Sequence, residues 1–309
     1  MRKVALNHIH LLAKKNPHVI FIGSDLGVGT LDSFRNEFPE RFFVEGISEA
    51  HIIGMAAGMA LEGKIVYVNS IATFLTRRAF EQICLDVCLH NLPVRLIGNG
   101  GGMVYAPLGP THMAIDDFAI MRALPNMTIL APADAIEMAC MMDMTLDWPG
   151  PIYIRVAKGG DPIVTREQGP GAIGRVVEMR DGHDVLIVTT GVMLKVGLDA
   201  SNLLSTKGVQ AKLIHVPTIK PLDKAALLKA ISQVSAVITI EEHSIIGGLG
   251  SAVAELIAEG RFETHKPLRR LGLPDIFPDD YGSQAHLLER FGLTPENVVS
   301  VAIELLARD

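Results

Sequence analysis

An α/β fold of two doubly wound domains is predicted by three features of the sequence. Short β-branched runs alternate with longer stretches of helical periodicity along the whole chain. The runs read as buried strands, as expected of a parallel sheet covered on both faces. Aromatic residues are only 5 %, while aliphatic side chains and 29 glycines dominate, a composition suited to helices packed closely on sheets. At 309 residues the chain is too long for one small core and fits two domains.

In the first domain, residues 1–168, helices are predicted at 4–14, 49–61 and 79–90 and strands at 18–22, 65–68, 94–97, 128–130 and 152–156. A helix at 135–147 crosses between the last two strands, and all five strands are expected in one parallel sheet. The stretch that starts at Lys158 is rich in Gly and Pro without helical periodicity, so it reads as an interdomain connection, with the boundary near 165–174. The second, smaller domain, residues 175–309, has strands predicted at 185–189, 211–216 and 237–240 and helices at 194–206, 224–232 and 250–259. No repeat of fixed period and no low-complexity tract is visible.

Lys+Arg number 28 against 34 Asp+Glu, a net charge of -6, which offers no basic field for a nucleic-acid backbone. No apolar run approaches the ~20 residues that span a bilayer, and the first residues lack a signal-peptide cleavage pattern, so a cytoplasmic address is expected. Cys84, Cys88 and Cys140 are too few for a disulfide framework. Cys84 and Cys88 stand four apart and complete no metal site, so they read as core.

Four segments could carry chemistry. Val44-Glu45-Gly46-Ile47-Ser48-Glu49 opens a helix that then turns almost wholly apolar. Glu49 falls in its first turn, where the helix dipole favours a negative charge by ~0.3–1 kcal/mol. A charge on the end of a packed helix is the other reading, and Gly54 and Gly58 allow close backbone approach whatever Glu49 does. Second, Leu108-Gly109-Pro110-Thr111-His112 follows the strand at 94–97 and the turn Gly98-Asn99-Gly100-Gly101-Gly102. Loops after strand carboxyl ends form the ligand crevice of a parallel sheet, so His112 is placed for proton transfer or polar recognition, or is a solvated turn residue. These glycines do not open a helix as a dinucleotide fingerprint must, which argues against a nicotinamide site. Third, Thr73-Phe74 follows the strand at 65–68, where an aromatic ring can stack on a heterocycle or staple a helix. Fourth, Arg155 and Lys158 lie at the end of the last strand of the first domain, as anion ligands or as a solvated strand end.

Taken in order, Gly23-Ser24-Asp25-Leu26, the stretch from Gly46 through Glu49 to His51, Thr73-Phe74, Gly109-Pro110-Thr111-His112, Arg122-Ala123-Leu124-Pro125-Asn126 and Ala131-Pro132-Ala133-Asp134 resemble the transketolases over nearly the whole chain. The match is to the C-terminal half of a transketolase, the pyrimidine-binding domain of the thiamine-diphosphate fold followed by a transketolase C-terminal-like domain. The chain is similar also to 1-deoxyxylulose-5-phosphate synthase. Glu241-Glu242-His243 with the following Gly247-Gly248-Leu249-Gly250 recurs in that superfamily, including the beta subunits of 2-oxo acid dehydrogenases.

The resemblance implies thiamine diphosphate as cofactor, with Glu49 hydrogen-bonding N1′ of its aminopyrimidine, Phe74 stacking on that ring and Asp25 lining its pocket. A carboxyl group held away from water is suited to sharing a proton with a ring nitrogen, so Glu49 is expected to be buried. His112 matches a histidine that contacts the ketose near its carbonyl. Arg2 and Lys158 match phosphate-binding positions, and Arg155 is grouped with them as substrate-binding. Leu108 stands where transketolases commonly carry an aspartate that meets a substrate hydroxyl, and a polar group left unpaired in a closed site costs ~1–3 kcal/mol. An unusual donor sugar is the expectation.

Transketolases hold the diphosphate through Mg2+ on a Gly-Asp-Gly motif and a later Asn in a preceding domain, and Gly-Asp-Gly occurs nowhere here. The resemblance therefore implies a partner, an N-terminal pyrophosphate-binding subunit that carries the Mg2+ ligands, in an α2β2 heterotetramer. An apolar face on the helix at 49–61 would form the interface. The expected activity is transfer of a two-carbon ketol unit between sugars or sugar phosphates. A 2-oxo acid dehydrogenase beta subunit and a non-catalytic subunit of the same fold are the alternatives, while Glu242 and His243 stay unassigned.

Overall fold

A computed structural model of the chain describes residues 1–24, 29, 31–157, 159–165 and 171–307. Asp25 and Lys158 lie outside the described residues. In chain order the strands are β1 (Val19–Gly23), β2 (Phe42–Val44), β3 (Ile65–Ile71), β4 (Val94–Asn99), β5 (Thr128–Leu130), β6 (Ile152–Val156), β7 (Val177–Arg180), β8 (Val185–Thr189), β9 (Ala211–His215), β10 (Thr218–Lys220), β11 (Ala236–Ser244) and β12 (Leu268–Leu273). They form a seven-stranded sheet in the order β10-β5-β6-β4-β3-β1-β2 and a five-stranded sheet in the order β12-β11-β8-β9-β7.

Strand periodicity divides each sheet between two core layers. On β1, Ile20 and Ile22 join Ile52, Ile53 and Ala56 of the helix Glu49–Leu61. Val19 and Phe21 join Leu6 and Ile9 of the helix Arg2–Lys15 on the opposite face. On β8, Val185 and Ile187 pack with Leu194 and Ala200, and Leu186 and Val188 with Leu227 and Val253. Both sheets are thus covered on both faces by helices.

Three expectations need correction. The first sheet is not all parallel, because β10 returns from the second half of the chain and pairs antiparallel with β5, covering an edge that would otherwise be open. Four strands, β2, β7, β10 and β12, fall outside the strands predicted from the sequence, and all are outer strands: β7, β10 and β12 mix charged or polar with apolar residues, and β2, though apolar, is only three residues long. The helix expected at 79–90 instead starts at Phe74 and runs mostly in wide π-helical turns, Phe74–Arg78 and Ile83–Cys88, around a short α-helical turn at Phe80–Gln82. Such wide turns are uncommon and recur at functional sites.

The topology places the site. From β1 the chain adds β2 on one side and then β3 on the other, so the strand order reverses between β1 and β3. A crevice opens outside the carboxyl ends of the strands at such a reversal. The connections leaving β1, β2, β3 and β4 all begin there. No helix among the described residues is long and apolar enough to cross a membrane.

One support of this sheet is a buried cation. Arg95 on β4 is 0 % exposed and donates to the carbonyls of Thr145 at 2.8 Å and Trp148 at 2.6 Å and to that of Gly150. Burial lowers its pKa to about 10, which leaves it charged at neutral pH. Arg95→Met strips these carbonyls of their donor, and at ~1–3 kcal/mol for each unpaired group a loss of at least about 3 kcal/mol is expected in urea unfolding. A loss below about 1 kcal/mol would contradict that role for the guanidinium.

Candidate active site

The helix Glu49–Leu61 has its acid in the first turn and almost only apolar residues after it. Glu49 is 1 % exposed. A carboxylate withdrawn this far from water needs hydrogen-bonded or charged partners. Its Oε1 accepts from Ser70 Oγ at 3.1 Å, at the end of β3, and Ser70 in turn accepts from Ser24 Oγ at 3.3 Å, just past β1. Its Oε2 accepts from Arg78 Nη1 at 2.6 Å. Arg78 is itself 48 % exposed, so the pair stands at the crevice wall and not in the deep core.

Arg78 leads onward to the other predicted residues. Its guanidinium carbon lies 4.8 Å from the centroid of the Phe74 ring. Phe74 meets His112 edge to face, with ring centroids 5.0 Å apart. His112 Nδ1 is 2.9 Å from Thr111 Oγ1. Glu49, Arg78, Phe74 and His112 therefore form one continuous run, although they come from the connections after β2, β3 and β4. The neighbouring arginine does different work. Arg77 grips Asp116 with two parallel bonds, Nε to Oδ2 and Nη2 to Oδ1 at 2.9 Å each, and donates to the Met113 carbonyl at 3.3 Å. That fork fastens the helix bearing Phe74 to the loop bearing His112.

Of the residues expected to bind substrate phosphate, Arg2 and Arg155 stand apart from this run, and Lys158 lies outside the described residues. Arg2 begins the helix on the opposite face of the sheet and makes no ion pair among the described residues. Arg155 is corrected: it is 8 % exposed, with Nε 3.0 Å from Asp117 Oδ2 and Nη2 donating to the carbonyls of Ala114 and Glu242 at 2.7 and 2.9 Å. It also stacks over Phe118 at 4.2 Å. Nε and Nη2 thus face the interior, where they tie the two sheets together.

Arg78 is the residue that sequence reasoning missed. Arg77 and Arg78 are adjacent charges just before the helix predicted at 79–90, and the sequence assigns neither of them a role. Nothing in their order tells which of them turns toward a buried acid. The contact is chemically informative, because a flat cation bearing N–H donors bridges a carboxylate and an aromatic face. A flat heterocycle that offers a ring N–H or accepts a shared proton fits those same two surfaces. Among the described residues no group of three or more His, Cys, Asp and Glu gathers to hold a metal ion.

Comparison with known proteins gives the family. Residues 1–160 match the transketolase pyrimidine binding domain and residues 174–298 the transketolase C-terminal domain. A 6-deoxy-6-sulfo-D-fructose transketolase subunit of Clostridium sp. (strain MSTE9) is 35 % identical over 297 residues, covering 96 % of this chain and 91 % of that protein. A 1-deoxy-D-xylulose-5-phosphate synthase of Symbiobacterium thermophilum is 40 % identical over 301 residues, 96 % of this chain but 45 % of the synthase. Among solved structures, a split gene transketolase described as an inactive beta4 tetramer superposes with a TM-score of 0.89 at 35 % identity, covering 99 % of this chain and 98 % of that one. The chain thus belongs to the transketolase family, of which it carries the pyrimidine-binding and C-terminal domains.

Proposed function

We propose that this chain is the pyrimidine-binding subunit of a two-component transketolase that binds thiamine diphosphate and moves a two-carbon ketol unit between sugars or sugar phosphates. The observation that carries the reading is the 1 % exposed carboxylate of Glu49 beside Phe74 and His112 at the strand-order reversal. Thiamine diphosphate, when bound, would supply the nucleophilic carbon and the electron sink that ketol transfer needs. Glu49 holds a proton between its carboxyl group and the pyrimidine ring nitrogen, with Ser70 keeping the other oxygen in place. Phe74 offers its ring face to the pyrimidine, and His112 meets the substrate near its carbonyl. Arg78 withdraws from Glu49 Oε2 as the ring enters. Asp25 is assigned to the pocket wall on family grounds.

A partner subunit completes the site in this reading, and it would carry the residues that hold Mg2+ and the diphosphate. The helix Glu49–Leu61 supports that view, since Ile47 just before it is 70 % exposed and Leu61 at its end 64 %. Leu89, on the adjoining π-helical segment's end, is 70 % exposed as well. An apolar rim of this kind suits an interface. The relatives named as transketolase subunits support it too, as does the solved structure, which is described as an inactive beta4 tetramer of a split gene transketolase. Phosphate recognition is assigned to Arg2 and Lys158 on family grounds alone, and Arg155 joins the proposal only through Nη1, since its other donors are taken up by the interdomain joint. Leu108, half exposed, offers no acceptor to a donor hydroxyl.

The test is reconstitution with the co-encoded partner, thiamine diphosphate and Mg2+, followed by a ketose-to-aldose transfer assay. Glu49→Ala is expected to lose about 10²–10⁴-fold in kcat, the range of a positioned acid–base group. A Glu49→Ala enzyme within about twofold of wild type would refute the assignment. Acceptance of pyruvate with transfer to a lipoyl group would instead favour a 2-oxo acid dehydrogenase subunit. Arg78→Ala leaves a buried carboxylate with Ser70 alone, so the free chain is expected to lose ~1–2 kcal/mol in denaturant unfolding. That loss should shrink when thiamine diphosphate and partner are present. An equal loss with and without them would contradict withdrawal of Arg78.

A further inference from the structure

The C-terminal domain contributes no residue to the run from Glu49 to His112, yet it grips the loop that carries His112. That loop, residues 103–113, closes at a neck where Gly102 N–H donates to Ala114 O at 2.9 Å and Ala114 N–H to Gly102 O at 3.0 Å. Glu242 on β11 stands against this neck. Its Oε1 accepts from the Met103 N–H at 2.7 Å and from Gln284 Nε2 at 2.8 Å. Gly102 has φ +67, and a Cβ there would fall 2.4 Å from Glu242 Cδ, so glycine is required both for its backbone angle and for the approach of the carboxyl group. Arg155 Nη2 closes the other side by donating to Ala114 O and to the Glu242 backbone carbonyl.

Packing repeats the pattern. Met103, Ala106 and Met113 are 0 % exposed and belong to the core layer of the second sheet, with Val185, Ile187 and Leu273. At the loop's tip, a Cβ on Gly109 would meet the Tyr281 ring at 2.7 Å, three residues before His112. The segment that reaches out from the first domain is therefore built on the interior of the second.

We propose that Glu242 is a positioning residue for His112: by fixing the neck of loop 103–113 it sets where the imidazole stands against Phe74. The catalytic consequence rests on the substrate contact proposed for His112. A shift of about 1 Å in a substrate-positioning group can cost on the order of 10²-fold in rate. Burial pushes the Glu242 carboxyl above the usual range, against the opposing pull of Arg155 and the Met103 N–H. A neutral glutamine can accept both hydrogen bonds in its place.

The test compares Glu242→Ala and Glu242→Gln in the full chain. Histidine-selective NMR follows His112, assigned with His112→Gln, and hydrogen exchange follows the Met103 amide. Glu242→Ala is expected to displace the His112 resonances and speed Met103 exchange at least tenfold, while Glu242→Gln retains wild-type values. In the reconstituted enzyme the donor kcat/KM falls at least tenfold in the alanine variant and is restored by glutamine. A folded Glu242→Ala chain with unmoved His112 resonances overturns the proposal. Should that variant fail to fold, Gln284→Ala takes its place, with a smaller displacement expected and unmoved His112 resonances again overturning it. The NMR readout needs no turnover, so an inactive wild-type complex would undo the transketolase reading while displaced His112 resonances would still support the positioning role.

Discussion

A single carboxylate withdrawn from water at the first turn of an apolar helix sets the terms for everything around it. Glu49 cannot be buried to 1 % exposure alone. Ser70 supplies one partner from the end of β3, and Arg78 supplies a second from the wide-turn helix that follows. The demand for those partners gathers three connections at the point where the strand order reverses. Phe74 and His112 arrive with them, one on the same helix as Arg78 and the other against its ring.

The second constraint is a buried polar joint between the two sheets. Asp117 is 0 % exposed and accepts from the Tyr153 hydroxyl at 2.7 Å, beside the Arg155 guanidinium. His243 donates from Nδ1 to the Ser244 carbonyl at 2.7 Å and accepts the Ala119 N–H on Nε2 at 3.3 Å, a tautomer assigned from these partners. Phe118 stacks on its ring at 5.2 Å. Glu241 accepts the N–H groups of Leu249 and Gly250 at 2.7 Å each, at the start of the helix Leu249–Glu259, and burial raises its pKa. A Cβ at Gly248 would lie 2.0 Å from Glu241 Oε2, which accounts for the glycine there. Such groups favour one docking of the domains because any other would leave several of them unpaired. Glu242 extends the same joint to the His112 loop.

Much of this was legible beforehand where a signal is local. Buried strands such as β3, β4 and β8 announce themselves by apolar runs, and Glu49, Phe74 and His112 by ordered motifs. Edge strands were not, since Val177–Arg180 and Leu268–Leu273 mix charged and apolar residues as half-exposed strands do. Pairings distant in sequence left no trace either. Thr218–Lys220 joins the first sheet by meeting β5, and Arg155 reads as a strand-end cation until the second domain closes over it. The choice between Arg77 and Arg78 as the partner of Glu49 depends on how the wide helical turn rotates them, which no pattern in the sequence encodes.

The most direct measurement is a crystal structure of this chain assembled with its partner subunit and thiamine diphosphate. The account predicts the Glu49 carboxyl within hydrogen-bond reach of the pyrimidine ring nitrogen, Phe74 against the ring face and Arg78 displaced from Oε2. A pyrimidine ring lodged elsewhere, with Arg78 still seated on Glu49, would contradict it.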